Sequence, residues 1–186
     1  FMYDSHWDDI VSSTEKLILK HAEKTPCKIL DVGVGMGRLL NKFPSYERYG
    51  IDISKDYLSY AKDKGINVCF SLVEDMPYKD DYFDIVISTD VLEHVLDLNL
   101  AITRILEVLK PDGIFVLRVP YKEDLAAYLH EDYPYELVHL RNFDEYSLQL
   151  LFEKVFKVEV LEFNVVGFME GKLIKGIRGR YFQGAV

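Results

Sequence analysis

A glycine-rich turn follows a short apolar run near the start of the chain. Residues 29–37 read Ile-Leu-Asp-Val-Gly-Val-Gly-Met-Gly, so Gly33, Gly35 and Gly37 stand at alternate positions. The apolar run predicts a buried strand, and glycines let the backbone turn tightly where a side chain would block a ligand. Asp52 ends the next apolar run, at a distance that suits an acid accepting hydrogen bonds from a ribose over the turn. The pattern predicts a site for a nucleoside-bearing cofactor.

The spacing of these glycines distinguishes between cofactors. The dinucleotide fingerprint is G-x-G-x-x-G, in which a helix N-terminus holds a pyrophosphate. This chain has G-x-G-x-G instead, and Asp31 stands two residues before the first glycine. An acid beside the turn would repel a pyrophosphate, whereas it suits a cofactor that carries an ammonium and a sulfonium group. An ordinary strand-to-helix turn is the alternative interpretation of the same residues.

Composition limits the class of protein and its partners. The length of 186 residues predicts one domain over residues 1–186. The formal net charge of −9 argues against a nucleic acid as the main partner, because phosphate contacts need clustered Lys and Arg. No run of about 18 apolar residues, the length that predicts a transmembrane helix, occurs in the sequence. Cys27 and Cys69 are expected to be reduced, packed thiols, which predicts a cytoplasmic location.

Strand and helix patterns alternate after an N-terminal segment with helical spacing over residues 8–24, which predicts a parallel sheet covered on both faces. The predicted strands, with a last one nearer the sheet edge, lie near 28–33, 48–53, 67–72, 83–88, 113–119 and 155–163. The predicted helices lie near 37–43, 54–64, 98–109 and 144–154. Ser54 is the expected N-cap of the second of these helices and Gly65 its expected stop, and residues 110–113 are expected to form a turn.

Three later motifs, together with the glycine turn and Asp52, carry a resemblance to a known family. They are Val73–Tyr78 followed by Tyr82–Val86, Asp90–Val95 and Leu109–Gly113. In this order they resemble the class I S-adenosylmethionine (SAM)-dependent methyltransferases, and most of all the small-molecule enzymes of the ubiquinone-biosynthesis type. The resemblance covers residues 28 to about 120, and His139–Phe143 with the helix after it extends the match to about 160.

The resemblance implies an α/β fold, a Rossmann-like three-layer sandwich whose mostly parallel seven-stranded sheet has an antiparallel last strand. The tail, residues 164–186, does not read as a clean final strand. The resemblance also implies an N-terminal helical lid over residues 1–25 and a substrate-side insert over residues 121–143. Aromatic residues cluster in both segments, which fits either a lid that excludes water or ordinary packing.

The resemblance further implies which residues bind the cofactor. They are Asp31, Gly33, Gly35, Gly37, Asp52, Ile53, Val73, Glu74 and Thr89. Asp31 would orient the methionine amine, Asp52 would hold the ribose hydroxyls, and Ile53 would pack on the adenine. Leu72 occupies the place where many members carry an acid for the adenine amino group, so adenine recognition is expected from the two residues that follow it.

An oxygen acceptor needs help to lose its proton, and four residues could supply it. Asp90, Glu93 and His94 fall three and four apart, so one helical turn could point them at one spot, and His139 follows strand five. His139 and His94 are therefore candidate catalytic bases. The same four residues, Asp90, Glu93, His94 and His139, resemble the Mg²⁺ or Mn²⁺ site of the small-RNA 2′-O-methyltransferases. The alternative is structural: a helix cap, an ion pair and a packed ring.

These observations predict a SAM-dependent methyltransferase that acts on a small-molecule acceptor, with oxygen expected before nitrogen. A nucleic-acid or protein methyltransferase is the first alternative, and a basic face including Lys172, Lys175, Arg178 and Arg180 would favour it. A non-catalytic SAM-binding regulatory protein is the second alternative, and a nicotinamide oxidoreductase is the third. The sequence predicts no particular oligomeric state.

Overall fold

The computed structural model describes residues 2–22, 27–131, 133, 138–167 and 176–183. The strands within these ranges are β1 (Lys28–Val32), β2 (Glu47–Asp52), β3 (Asn67–Phe70), β4 (Phe83–Thr89), β5 (Leu109–Tyr121), β6 (Glu159–Gly167) and β7 (Gly176–Gln183). The α-helices are α1 (Met2–His21), α2 (Lys55–Asp63), α3 (Leu98–Val108) and α4 (Glu145–Gln149). Short 3-10 helices span Leu40–Lys42 and Leu125–Leu129, and a π-helical turn, Leu150–Val155, continues α4.

The strands form one sheet in the order β3-β2-β1-β4-β5-β7-β6. The first five strands pair in parallel, whereas β7 pairs antiparallel with β5 and with β6. This confirms the prediction of a Rossmann-like α/β fold with a mostly parallel sheet. In such a sheet ligands bind at the carboxyl ends of the strands where the strand order reverses, which here is the point between β1 and β4.

The two faces of the sheet pack against different helices. On one face Leu30 of β1 is buried in a cluster with Ile102 of α3. On the other face Ile29 is buried in a second cluster with Ile18 of α1. Because side chains alternate along a strand, Asp31 lies on the α1 face, at the end of β1. Polar side chains at the strand ends can contact one another only if this alternation places them on the same face of the sheet.

The helix predicted over residues 37–43 is wrong, since only the 3-10 turn at Leu40–Lys42 forms there. Two neighbouring residues explain the difference. Gly37 has a φ of +73°, a left-handed conformation that an α-helix cannot include. At the other end, Pro44 disfavours helical backbone at Phe43, whose φ and ψ are −117° and 58°.

Two further expectations need correction in the second half of the chain. The tail contains a strand, β7, although its sequence did not predict a clean strand. Glycines at 176 and 179 interrupt the alternation of side chains that is typical of a strand. Pairing with β5 and β6 on its two sides nevertheless holds this segment in the sheet. The turn predicted at residues 110–113 lies inside β5, where the register against β4 jumps from Leu109 to Ile114. The extra residues on β5 form a bulge inside the strand, where a separate turn was predicted.

The boundaries of α2 are as predicted. Ser54 is its N-cap, and the Ser54 hydroxyl accepts a hydrogen bond from the Tyr57 N–H. Gly65 follows the C-cap with a φ of +73°, a conformation that stops a helix. Among the described residues no helix combines the length and the apolar character needed to cross a membrane.

Candidate functional site

A cavity of about 760 Å³ lies at the carboxyl ends of β1, β2 and β4. Trp7, Ile10 and Val11 of α1 form part of its wall, and the N-terminal lid stays a prediction. Eight of the nine residues predicted to bind the cofactor line it: Asp31, Gly33, Gly35, Asp52, Ile53, Val73, Glu74 and Thr89. Gly37, the ninth, does not line the cavity. The strand ends thus bring together residues that are up to 58 positions apart in the chain.

Asp31 is a buried acid without a complete set of partners. Its side chain is 3% exposed, and its Oδ1 has no hydrogen-bond partner among the described residues. Burial raises the pKa of this carboxyl well above its usual range, and the nearby charge of Asp52 raises it further. A cationic amine beside Oδ1 would supply the missing donor and favour the ionised form. The orphaned oxygen therefore fits the role predicted for Asp31, the orientation of an amine.

The three glycines of the turn serve different purposes. Gly35, at φ +49°, faces open space, because a Cβ placed on it would meet nothing within 4 Å. A Cβ on Gly33 would lie 2.3 Å from Cγ2 of Val91, and one on Gly37 would lie 2.5 Å from Cδ1 of Ile66. Gly35 therefore opens the backbone to the cavity, whereas Gly33 and Gly37 permit close packing of the turn against neighbouring side chains.

Asp52 is held in one orientation by two backbone N–H groups. The Gly35 N–H donates to Oδ2 and the Ser54 N–H donates to Oδ1, each at 2.8 Å. A carboxylate oxygen can accept more than one hydrogen bond, so both oxygens keep capacity for a second donor. Two vicinal hydroxyl groups are the natural ligands of a carboxylate fixed in this way. The geometry therefore fits the ribose role predicted for Asp52.

The part of the cavity next to Asp52 is largely apolar. Ile53 and Leu72 line it and are 66% and 54% exposed, which is unusual for side chains of this kind. Val73 is buried beneath them, and Glu74 offers a polar side chain at the same edge. Exposed aliphatic surface in a cavity fits a flat aromatic ring, so these residues suit adenine.

A second polar group lies beside this cavity. Ligand atoms of Glu93, His94 and His139 all lie within 4.8 Å of one another, so the three could hold a metal ion. The imidazole rings of His94 and His139 have centroids 4.6 Å apart, at an edge-to-face angle of 72°. Asp90, the fourth residue of the predicted metal site, is not part of this group. Asp90 and His94 line the cavity itself.

Burial controls the protonation of this second group. Glu93 has no exposed surface, and neither carboxylate oxygen has a hydrogen-bond partner in the described part of the chain. Burial raises the pKa of Glu93 to about 9, with a further increase from the charge of Asp90. Burial also lowers the pKa of His94, whose Nδ1 lies 3.1 Å from the Val138 carbonyl and must donate to it. His94 is therefore neutral, with its Nε2 lone pair available as a base or a ligand.

Two residues that the sequence analysis did not assign complete the surroundings of His139. Its Nδ1 hydrogen-bonds Oε2 of Glu123, and the Tyr128 hydroxyl donates to Oε1 of the same carboxylate at 2.8 Å. A carboxylate on Nδ1 fixes the tautomer and leaves Nε2 free. Tyr128 stood out in the sequence only as one of several aromatic residues in the insert, and nothing distinguished Glu123 from other surface acids.

Comparison with known proteins places this site in a family. Residues 30–117 match the family described as "Methyltransferase domain". An uncharacterized protein of Methanocaldococcus jannaschii is 29% identical over 133 residues, which cover 70% of this chain and 63% of that protein. The uncharacterized methyltransferase YcgJ of Bacillus subtilis is 35% identical over 111 residues, which cover 54% of this chain and 44% of that one. The match thus spans less than two thirds of either relative.

Solved structures agree with this assignment at the level of the fold. One neighbour is found in a complex between the Haloferax volcanii Trm112 methyltransferase activator and a protein assigned as a methyltransferase. It has a TM-score of 0.79 and 17% sequence identity, covering 100% of this chain and 92% of the neighbour. The motifs, the fold and the family match agree on a SAM-dependent methyltransferase domain around residues 30–117, and S-adenosylmethionine is the cofactor of such a domain.

Proposed function

We propose that this protein transfers the methyl group of SAM to an oxygen atom of a small-molecule acceptor. The observation that carries the proposal is the common cavity: the fixed carboxylate of Asp52, the orphaned oxygen of Asp31 and the neutral imidazole of His94 all line it. The first two suit the cofactor, and the third suits an acceptor hydroxyl that must lose a proton. This proposal includes the seven-stranded sheet with an antiparallel last strand, which the pairing of β7 with β5 and β6 supports.

In this proposal the chain holds the cofactor through backbone and acid groups. Asp31 would pair with the amine, Asp52 with the ribose hydroxyls, and Ile53, Val73 and Glu74 would surround the adenine. Gly33, Gly35 and Thr89 would form the wall nearest the methionine part. When bound, SAM supplies a methyl group already activated by its sulfonium. The protein then needs to align the acceptor, and alignment alone reaches effective molarities of about 10⁵ M or more.

The proton of the acceptor would go to one of the two histidines. His139 is the better base, because Glu123 can stabilise the imidazolium that forms when Nε2 accepts a proton. His94 lines the cavity and would orient the acceptor hydroxyl, with its own ring fixed by the Val138 carbonyl. The edge-to-face contact between the two rings keeps them close enough to act on one group.

A metal ion at Glu93, His94 and His139 is a second way to lower the pKa of the acceptor oxygen. The observation that favours it is the buried carboxyl of Glu93, whose two oxygens lack partners among the described residues. A donor set of two imidazoles and one carboxylate suits Mn²⁺ better than Mg²⁺, since Mg²⁺ prefers oxygen ligands. Mn²⁺ titration of the chelator-treated protein, followed by electron paramagnetic resonance, tests this site, and His139→Gln should weaken the binding.

The proposal concerns a small acceptor because the cavity has a volume of about 760 Å³ and residues of α1 form part of its wall. A nucleic-acid acceptor would need a basic surface, and the net charge of −9 gives no general attraction to phosphate. The residues proposed for such a surface, Lys172, Lys175, Arg178 and Arg180, have side chains outside the described part of the structure. A cytoplasmic location remains a prediction from the cysteines.

The experiment uses SAM labelled with a CD₃ group. The protein is incubated with hydroxylated small molecules, with bulk transfer RNA and with a protein extract, and mass spectrometry locates the label. The proposal predicts label in the small-molecule fraction and release of S-adenosylhomocysteine (SAH). Label in RNA or protein would contradict it and support the first alternative. Tight binding of SAM without transfer to any fraction would support the regulatory alternative instead.

A further inference from the structure

Arg118 is a buried cation that the cofactor site does not use. It lies on β5, its side chain is 3% exposed, and its Nη1 has no hydrogen-bond partner among the residues that the structure describes. Burial lowers the pKa of the guanidinium, and the charge of Asp90 opposes that shift. Buried guanidinium groups are costly unless every N–H finds a partner, so an orphaned Nη1 indicates a ligand that completes the set.

The position of Arg118 places it next to the cavity. Val116, two residues earlier on β5, packs in the α1 cluster, so Arg118 points to the same face of the sheet. Thr89, its in-register partner on β4, lies on that face as well and lines the cavity. The Asp90 N–H donates to the Arg118 carbonyl at 3.1 Å, and Asp90 also lines the cavity. Arg118 itself does not line the cavity, but its in-register neighbour Thr89 does.

The neighbour of Arg118 on the other side of β5 is a glycine. On β7 the residue in register with Arg118 is Gly179, which has no side chain. On the cavity side, α1 contacts β5 and contributes Ile10 and Val11 to the cavity wall. In the sheet, Arg118 thus lies between Gly179 of β7 and Thr89 of β4. Because Arg118 itself does not line the cavity, a ligand in the cavity reaches Nη1 only if a neighbouring group moves.

We propose that Arg118 binds an anionic group of the methyl acceptor, a carboxylate or a phosphate, at the end of the cavity bounded by Thr89 and Asp90. The inference rests on the proposed function and narrows its substrate class to small acidic molecules. A guanidinium has five N–H donors in a fork that matches both anions, so attraction to Asp90 leaves Nη1 for a second acceptor. Because Asp90 would repel a free anion, the ligand must reach Arg118 from the Thr89 side.

The test titrates inorganic phosphate and, separately, acetate into the SAH-loaded protein, with chloride adjusted to hold the ionic strength constant. Calorimetry and thermal unfolding are the readouts. Wild type should show saturable binding of at least one anion, and the more effective anion identifies phosphate or carboxylate. Arg118→Met should weaken that binding at least tenfold while SAH still binds. Lys62→Met, which removes an exposed charge on α2, should behave as wild type.

Two results would overturn the inference: no saturable binding of either anion by SAH-loaded wild type, or equal binding by wild type and Arg118→Met. Failure of wild type to bind SAH would count against the proposed function instead, and the anion titration of the unloaded protein would still test Arg118. If Arg118→Met does not fold, Arg118→Lys takes its place. Lysine keeps the positive charge but lacks the several N–H donors of the guanidinium, so Arg118→Lys should weaken anion binding severalfold. Unchanged anion binding by that variant would equally contradict the inference.

Discussion

The two polar groups at this cavity are built from the chain in different ways. The cofactor group takes Asp31, Gly35 and Asp52 from two adjacent strand ends, and backbone N–H groups hold Asp52 in place. The proposed acceptor group takes His94 from the loop after β4 and His139 from the insert; the Val138 carbonyl holds His94, and the Glu123 carboxylate holds His139. The first arrangement depends on local backbone geometry, whereas the second depends on contacts across the chain. Substitutions should therefore separate cofactor binding from transfer.

The largest separation is expected for the histidines. His139→Gln should lower the rate of methyl transfer by about 10²- to 10⁴-fold, the range typical of a lost general base, with SAM affinity unchanged. His94→Gln should lower it as well. His130→Gln is the matched control, because His130 is an exposed residue of the same insert and should have no effect. Equal loss of SAM binding in His139→Gln would show that the two groups are not independent.

The buried carboxyl of Glu93 should give the next largest effect. Its pKa in the folded protein, about 9, lies above the unfolded value, so the folded state binds more protons between those values and stability falls as pH rises. Relative to Glu93→Gln, the wild type should lose about 1.4 kcal/mol of unfolding free energy per pH unit across that window, or roughly 3 kcal/mol by pH 7. Chemical denaturation at several pH values, with a chelator present, measures this. Parallel pH profiles would contradict the burial argument.

Two glycine substitutions sharpen the comparison within the cofactor group. Gly33→Ala should lower the unfolding free energy by about 1–3 kcal/mol, since the new Cβ overlaps Val91. Gly35→Ala should cost only about 1–2 kcal/mol for its left-handed backbone, because its Cβ meets no atom. Yet Gly35→Ala should weaken SAM more, since that Cβ enters the cavity. Thermal unfolding measures the loss of stability and calorimetry the affinity for SAM in both variants. If Gly33→Ala weakened SAM binding more than Gly35→Ala, the proposed contact of Gly35 with the ligand would be contradicted.

The smallest effect is expected for the carboxylate behind His139. Glu123→Gln should reduce the transfer rate by about tenfold, typical of a group that orients a functional imidazole. Glu131→Gln, an exposed acid of the same insert, is the control. An equal loss of rate in both variants, or a loss matched by a lower unfolding temperature in Glu123→Gln alone, would contradict the positioning role of Glu123.

The same contrast explains how far the sequence could predict the molecule. Asp31, Gly35 and Asp52 lie in short segments, where an apolar run is followed by glycines or ends in an acid. These local patterns were enough to predict the strand ends and most of the residues that line the cavity there. Glu123 and Tyr128 act on a histidine 16 and 11 residues away, through a segment without regular pattern. The resemblance implied an antiparallel last strand, but the position of β7 was not predicted, because its glycines give no strand signal and its pairing with two neighbouring strands determines it. Contacts between residues that are distant in the chain cannot be predicted from the local pattern of a single sequence.

Calorimetric titration of SAM and SAH into wild type, Asp52→Ala and Asp56→Asn tests the central claim most directly. Wild type should bind both ligands in the micromolar range. Asp52→Ala should bind roughly 100-fold more weakly, because two hydrogen bonds to a charged acceptor contribute about 3 kcal/mol. Asp56→Asn, which changes an exposed acid at the start of α2, should bind as wild type. A folded wild type that binds neither ligand, or an Asp52→Ala variant that binds both normally, would contradict the account.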